Sequence, residues 1–191
     1  MRLGIFGGSF DPPHVGHLLA AQDAFDQLAL DRLAVVPAAT QPLKRRDTTP
    51  ADARLEMTRL TFAGDPRVEV SSMELDRGGV SFTVDTLEEF AKRYPDAERF
   101  LLLGADVLDT FAQWREPGRV LALARPVILA RAGAAVALPA PYGAVPLVPL
   151  ETRRVDVSST EIRARARAGK SIRGFVTDEV AALIERDGLY R

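Results

Sequence analysis

The sequence predicts an open, doubly wound α/β sheet, mostly parallel, with helices closing its carboxy terminus. Two observations carry this. Short runs rich in Val, Ile, Leu and Phe alternate with longer amphipathic stretches, the order that builds strand–helix–strand units. Several of those runs are nearly continuous rather than alternating, as expected for parallel strands covered on both faces.

In chain order the strands read RLGIFG (2–7), LAVVP (33–37), RVEVS (67–71), RFLLLG (99–104), PVILA (126–130) and AVPLV (144–148). Helices are predicted over 16–29, 51–63, 83–93 and 118–124, the second with Thr49 as cap and Pro50 at its first position. The last forty residues change character. SSTEIRARARAG (158–169) reads as a capped helix ending at Gly169, and TDEVAALIERDGLY (177–190) as another, capped by Thr177 and stopped by Gly188. No linker, repeat or low-complexity segment divides the 191 residues, so one domain over 1–191 is expected.

Composition narrows the function. A net charge of −1 gives no global field for nucleic acid or a membrane surface, so any anion site must be local. The absence of cysteine removes disulfides, thiolate zinc sites and cysteine nucleophiles together. The start MRLGIF enters a strand pattern without a signal peptide's apolar core, and a cytoplasmic protein is expected.

The first strand runs into GGSFDPPHVGH, which holds the only two histidines, His14 and His17. In a doubly wound sheet, ligands bind beyond the carboxyl ends of the strands, where strand order reverses. Gly7 and Gly8 let a phosphate approach the backbone, Asp11 can cap a turn, and Pro12 and Pro13 stiffen the entry to the next helix. Gly16 and His17 fall in that helix's first turn, where free amides favour an anion. His14 and His17 lie about one turn apart and can address one phosphate. The segment has neither the dinucleotide G-x-G-x-x-G spacing nor a Gly-Lys-Ser/Thr P-loop. A zinc pair would need carboxylates to complete it. Ser158 or Ser159 caps a second helix start, with Arg163 on the same face.

GGSFDPPHVGH resembles the H-x-G-H signature of the nucleotidyltransferase superfamily, and VSSTEIR (157–163) is similar to its second signature, I-S-S-T-x-I-R. SFTVDTL (81–87) and GADVLDTFAQW (104–114) are most similar to motifs of the bacterial nicotinate-nucleotide adenylyltransferases. The resemblance implies a Rossmann-like nucleotidyltransferase fold and adenylyl transfer from ATP to nicotinate mononucleotide, with Mg²⁺ carried chiefly by the phosphates. It implies an ATP site of Gly7, Gly8, Ser9, Phe10, His14, His17, Gly104, Asp106, Ser158, Ser159, Thr160 and Arg163. His14, His17, Lys44 and Arg163 would act on the phosphates. Phe82, Thr83 and Thr86 would hold the nicotinate carboxylate, Trp114 would stack on the pyridine, and Arg131 would meet the mononucleotide phosphate. Leu43 and Ala39 depart from the family's pattern in the loop that carries Lys44. Pantetheine-phosphate adenylyltransferase, another H-x-G-H enzyme such as a cytidylyltransferase, and a catalytically idle nucleotide sensor are the competing readings. The first carries threonine where this chain has His14.

Overall fold

The computed structural model describes residues 1–42, 49–130, 137–153 and 155–191. Six strands, β1 (Arg2–Gly8), β2 (Arg32–Pro37), β3 (Val68–Val70), β4 (Glu98–Gly104), β5 (Arg125–Ala130) and β6 (Val148–Glu151), form one sheet in the order β3-β2-β1-β4-β5-β6. Every pairing is parallel. The chain winds outward from β1 in one direction and from β4 in the other, so the reversal of strand order falls between these two.

Side-chain alternation divides the strands between two cores. Leu3, Ile5, Leu101, Leu103 and Ile128 face α4 (Thr83–Arg93), α5 (Pro117–Leu123) and a 3₁₀ helix (Ala105–Gln113). Phe6, Leu33, Val35, Phe100 and Leu102 face α1 (Val15–Leu28) and Phe62 of α2 (Ala51–Phe62). A third cluster joins Met57 of α2 to α6 (Ser159–Arg167), α7 (Asp178–Arg186) and Tyr190. Among the described residues no helix is long and apolar enough to cross a membrane.

Three features correct the sequence reading. The last strand is 148–151 rather than 144–148, because AVPLVPL is apolar throughout and offers no period to phase it. Its edge position tolerates Pro149. Pro50 is the N-cap of α2 rather than its first residue, and the Thr49 hydroxyl hydrogen-bonds Tyr190 instead of capping. Two short elements, α3 (Met73–Arg77) and the 3₁₀ helix, were not predicted.

Candidate active site

The carboxyl ends of β1, β2 and β4 open on one edge of the sheet, and the segment after β1 is held there from three directions. Arg54 of α2, only 1% exposed, donates from Nη1 to the Ser9 carbonyl at 2.8 Å and from Nη2 to the Ala39 carbonyl at 3.2 Å. Arg163 of α6 donates to the Asp11 carbonyl at 2.7 Å and to Thr160 Oγ1 at 3.2 Å. The Ser159 hydroxyl donates to the Pro12 carbonyl at 2.8 Å. The Tyr190 hydroxyl reaches the Asp11 carboxylate, so that side chain meets the carboxy terminus of the chain rather than capping a local turn. Phe10, buried with φ of 49°, turns the chain between these anchors. Thus the two signature segments are in direct contact. Ser158 caps α6 by accepting from the Glu161 amide at 3.1 Å.

His14 is the N-cap of α1 and His17 its third residue. The His14 amide donates to His17 Nδ1 at 3.1 Å. That nitrogen is therefore the acceptor, and in the neutral ring the proton sits on Nε2. The two rings lie 3.8 Å apart, with Phe10 and Phe6 packed at 5.0 and 5.8 Å from the His17 ring. Burial lowers the His14 pKa from the usual 6.5 to about 4, so this imidazole is neutral at neutral pH. Its Nδ1 is buried without a hydrogen-bond partner among the described residues. Gly16 leaves the His14 ring its room. A Cβ there would lie 3.0 Å from His14 Nδ1 and 3.1 Å from Cε1.

On the other side of Gly7 and Gly8 lies a cavity of about 260 Å³. Phe82, Thr83 and Thr86 line it from the start of α4, whose first amides the helix's own ladder cannot use. Gly104 and Asp106 line it from the end of β4, and Trp114 from the end of the 3₁₀ helix. A Cβ on Gly104 would fall 2.4 Å from Asp106 Oδ1, so this glycine lets the carboxylate fold back over the strand end. Trp114 is half-buried and packs on Phe111, with ring centroids 5.2 Å apart.

Most of the residues named from the sequence therefore assemble around one sheet edge, in two neighbouring groups. Gly7, Gly8, Phe82, Thr83, Thr86, Gly104, Asp106 and Trp114 line the cavity, while Phe10, His14, His17, Ser158, Ser159, Thr160 and Arg163 gather beside α1 and α6. Ser9 lies between them. Lys44, in its loop with Leu43, and Arg131 lie outside the described residues. Sequence reasoning missed Arg54, Tyr190 and Glu74. The last is buried on the cavity wall, where its Oε1 accepts from the Thr86 hydroxyl at 2.5 Å.

A family profile described as Cytidylyltransferase-like matches residues 5–165. A relative from Gemmatimonas aurantiaca, carrying the name "probable nicotinate-nucleotide adenylyltransferase", is 52% identical, covering 100% of this chain and 93% of the relative. This chain belongs to that family. A relative of the same name from Thermus thermophilus is 48% identical over 100% of both chains. A solved structure of the Plasmodium falciparum nicotinic acid mononucleotide adenylyltransferase complexed with NaAD has a TM-score of 0.76 at 17% identity, covering 99% of this chain and 97% of that one. A second, of the same enzyme with APC, has a TM-score of 0.78 at 16% identity, covering 99% and 96%. At such identities these two likenesses speak to the fold: the Rossmann-like architecture of nicotinate-nucleotide adenylyltransferases.

Proposed function

We propose that this protein transfers the adenylyl group of ATP to nicotinate mononucleotide, forming nicotinate adenine dinucleotide and pyrophosphate. A phosphate oxygen of the mononucleotide attacks the α-phosphorus, and the bond to the β-phosphate breaks with its electrons leaving on pyrophosphate. No protein nucleophile is required. The observation that carries the reading is the pairing of His14 and His17 at the start of α1 with an adjoining cavity faced by Trp114.

In this reading the phosphates of ATP lie across the amino terminus of α1, where amides and dipole favour an anion. His17 donates from Nε2 to charge developing on the phosphates. His14 Nδ1, unpaired among the described residues, gains a partner when ligand or water enters. Arg163 keeps one edge of its guanidinium on the loop and serves the triphosphate, with Lys44 and Arg131 assigned to phosphates by family pattern. Asp106 accepts from a ribose hydroxyl. The amides beginning α4 and the Thr83 and Thr86 hydroxyls meet the nicotinate carboxylate, and Trp114 stacks on the ring.

A divalent metal accompanies ATP, and Mg²⁺ is the ion proposed. Among the described residues no three His, Asp or Glu side chains converge as metal ligands. The residues present thus fit an ion carried on phosphate oxygens and water, which would neutralise charge on the leaving pyrophosphate.

The test is pyrophosphate release from ATP with nicotinate mononucleotide, nicotinamide mononucleotide, phosphopantetheine or no acceptor. Nicotinate mononucleotide should be preferred over its amide by about 10-fold or more. Preference for phosphopantetheine would overturn the assignment, and binding of ATP without transfer to any acceptor would point to a sensor.

A further inference from the structure

We propose that Glu74 determines acceptor specificity by setting, through Thr86, whether the cavity wall offers the pyridine substituent a hydrogen-bond donor or an acceptor. This rests on the reading of the cavity as the site of the mononucleotide's ring.

Glu74 comes from α3, is 7% exposed, and shares the cavity wall with Ser81 and Thr86. Ser81 Oγ accepts from the Ala39 amide at 2.9 Å and its hydroxyl hydrogen-bonds the Glu74 carboxyl. The Ser81 contact favours the carboxylate, the effect of a hydroxyl that donates its single proton to Glu74. The polarity of the other contact, between Glu74 Oε1 and Thr86 Oγ1, is then fixed by whether Glu74 holds a proton. A threonine hydroxyl has one proton and two lone pairs. Beside an ionised Glu74, Thr86 gives its proton to Oε1 and turns only lone pairs to the cavity, which suits a carboxamide N–H. Beside a neutral Glu74, the acid proton on Oε1 is donated to Thr86 Oγ1. The Thr86 proton is then released for the cavity, which suits a carboxylate.

Burial and the charge of the incoming carboxylate oppose the ionised form. Burial pushes the Glu74 carboxyl above its ordinary value, although the Thr86 and Ser81 hydroxyls pull it down. Of the charged groups facing it, Arg77 on α3 favours the ion and Asp85 on α4 opposes it. Arg115, on the cavity rim, pairs with Asp85 at 3.3 Å. An ionised Glu74 would also stand beside the incoming nicotinate carboxylate, and like charges in a confined site repel.

The experiment is the ratio of kcat/KM for nicotinate over nicotinamide mononucleotide from about pH 6 to about pH 9, in wild type, Glu74→Gln and Thr86→Val. Both acceptors carry the same phosphate, so its titration cancels in the ratio. The wild-type ratio should fall by about 10-fold wherever Glu74 gives up its proton. In Glu74→Gln, where an amide N–H can donate to Thr86 at every pH, the preference should persist and become flat. In Thr86→Val it should drop by about 10-fold and also become flat. A Thr86→Val ratio equal to that of wild type overturns the proposal, as does a pH-dependent wild-type ratio that Glu74→Gln reproduces. A protein unable to use nicotinate mononucleotide at any pH would instead refute the underlying assignment of the cavity.

Discussion

The hydroxyl of Tyr190 donates to Oδ1 of Asp11 at 2.6 Å, joining residues 179 positions apart. Asp11 is 4% exposed and Tyr190 9%, and Arg163 and Ser159 secure the neighbouring carbonyls of Asp11 and Pro12. The end of the chain thereby buttresses the loop that presents the histidines. Tyr190→Phe keeps the ring in its cluster but withdraws a donor from a buried carboxylate. It should cost about 1–3 kcal/mol of unfolding free energy, measured in urea. Turnover should fall while the affinity for the mononucleotide holds.

Arg54 makes the corresponding contact from α2. Its guanidinium spans two carbonyls, on Ser9 and Ala39, and no carboxylate among the described residues pairs with it. Arg54→Met fills most of the volume yet leaves both buried carbonyls without a donor, a loss of about 2–4 kcal/mol. Arg54→Lys keeps the charge, but a single ammonium lacks the planar fork that spans both carbonyls. It should retain most of the stability and lose activity. Equal behaviour of the two variants in activity and unfolding assays would show that volume alone matters at this position.

Gly16→Ala should separate stability from activity. Alanine is favoured over glycine inside a helix by roughly 1 kcal/mol, so the melting temperature should hold or rise. Its Cβ would nevertheless meet the His14 ring at 3.0 Å and displace it. A fall in kcat of about 10-fold or more, with unchanged or greater Tm, is the expected result.

His14 should leave a mark on the pH dependence of folding. Burial holds its pKa near 4 in the folded protein against an ordinary 6.5. A lowered histidine pKa means that the unfolded chain binds the proton more readily. The associated stability is fully present above 6.5 and is lost as pH falls through about 4. Allowing for partial exposure, its size is about 1–2 kcal/mol. His14→Asn, which keeps a favourable N-cap type, should flatten this part of the profile relative to wild type. Acid loss from carboxylates is common to both proteins and drops out of the comparison. Parallel profiles would show that His14 gains a proton as easily folded as unfolded.

How far the sequence disclosed all this depended on the range of each signal. The apolar runs at 2–7 and 99–104 came within a residue of β1 and β4, because a strand buried on both faces writes itself continuously. His14, Gly16 and His17 were legible because their chemistry is local to one helix turn. α3 was not, since five residues are too few to display a helical period. Glu74 and Arg54 were also hidden. Charged types are ordinarily exposed, and only the tertiary fold buries these two against Thr86 and the Ser9 carbonyl. Thr86 itself was found, but its partnership with Glu74 was not.

His17 combines a structural and a chemical role, and the two can be separated. Its Nδ1 accepts the His14 amide at the start of α1, the contact a glutamine or glutamate makes at the third position of a capped helix. Its Nε2 carries the proton offered to the phosphates in the proposed reaction. His17→Gln can keep the first role, through its side-chain carbonyl, without reproducing the second in place. It should unfold within about 0.5 kcal/mol of wild type, whereas His17→Ala should lose about 1 kcal/mol through the missing cap. Both should reduce kcat by about 10²–10³-fold, as expected for removal of one preorganised donor, and change the Kd for ATP far less. The measurements are single-turnover kinetics, ATP binding by calorimetry and urea unfolding on the same preparations. If His17→Gln kept near-normal turnover, His17 would be only the cap of α1, and charge on the phosphates would have to be met by His14, Arg163 or the metal ion.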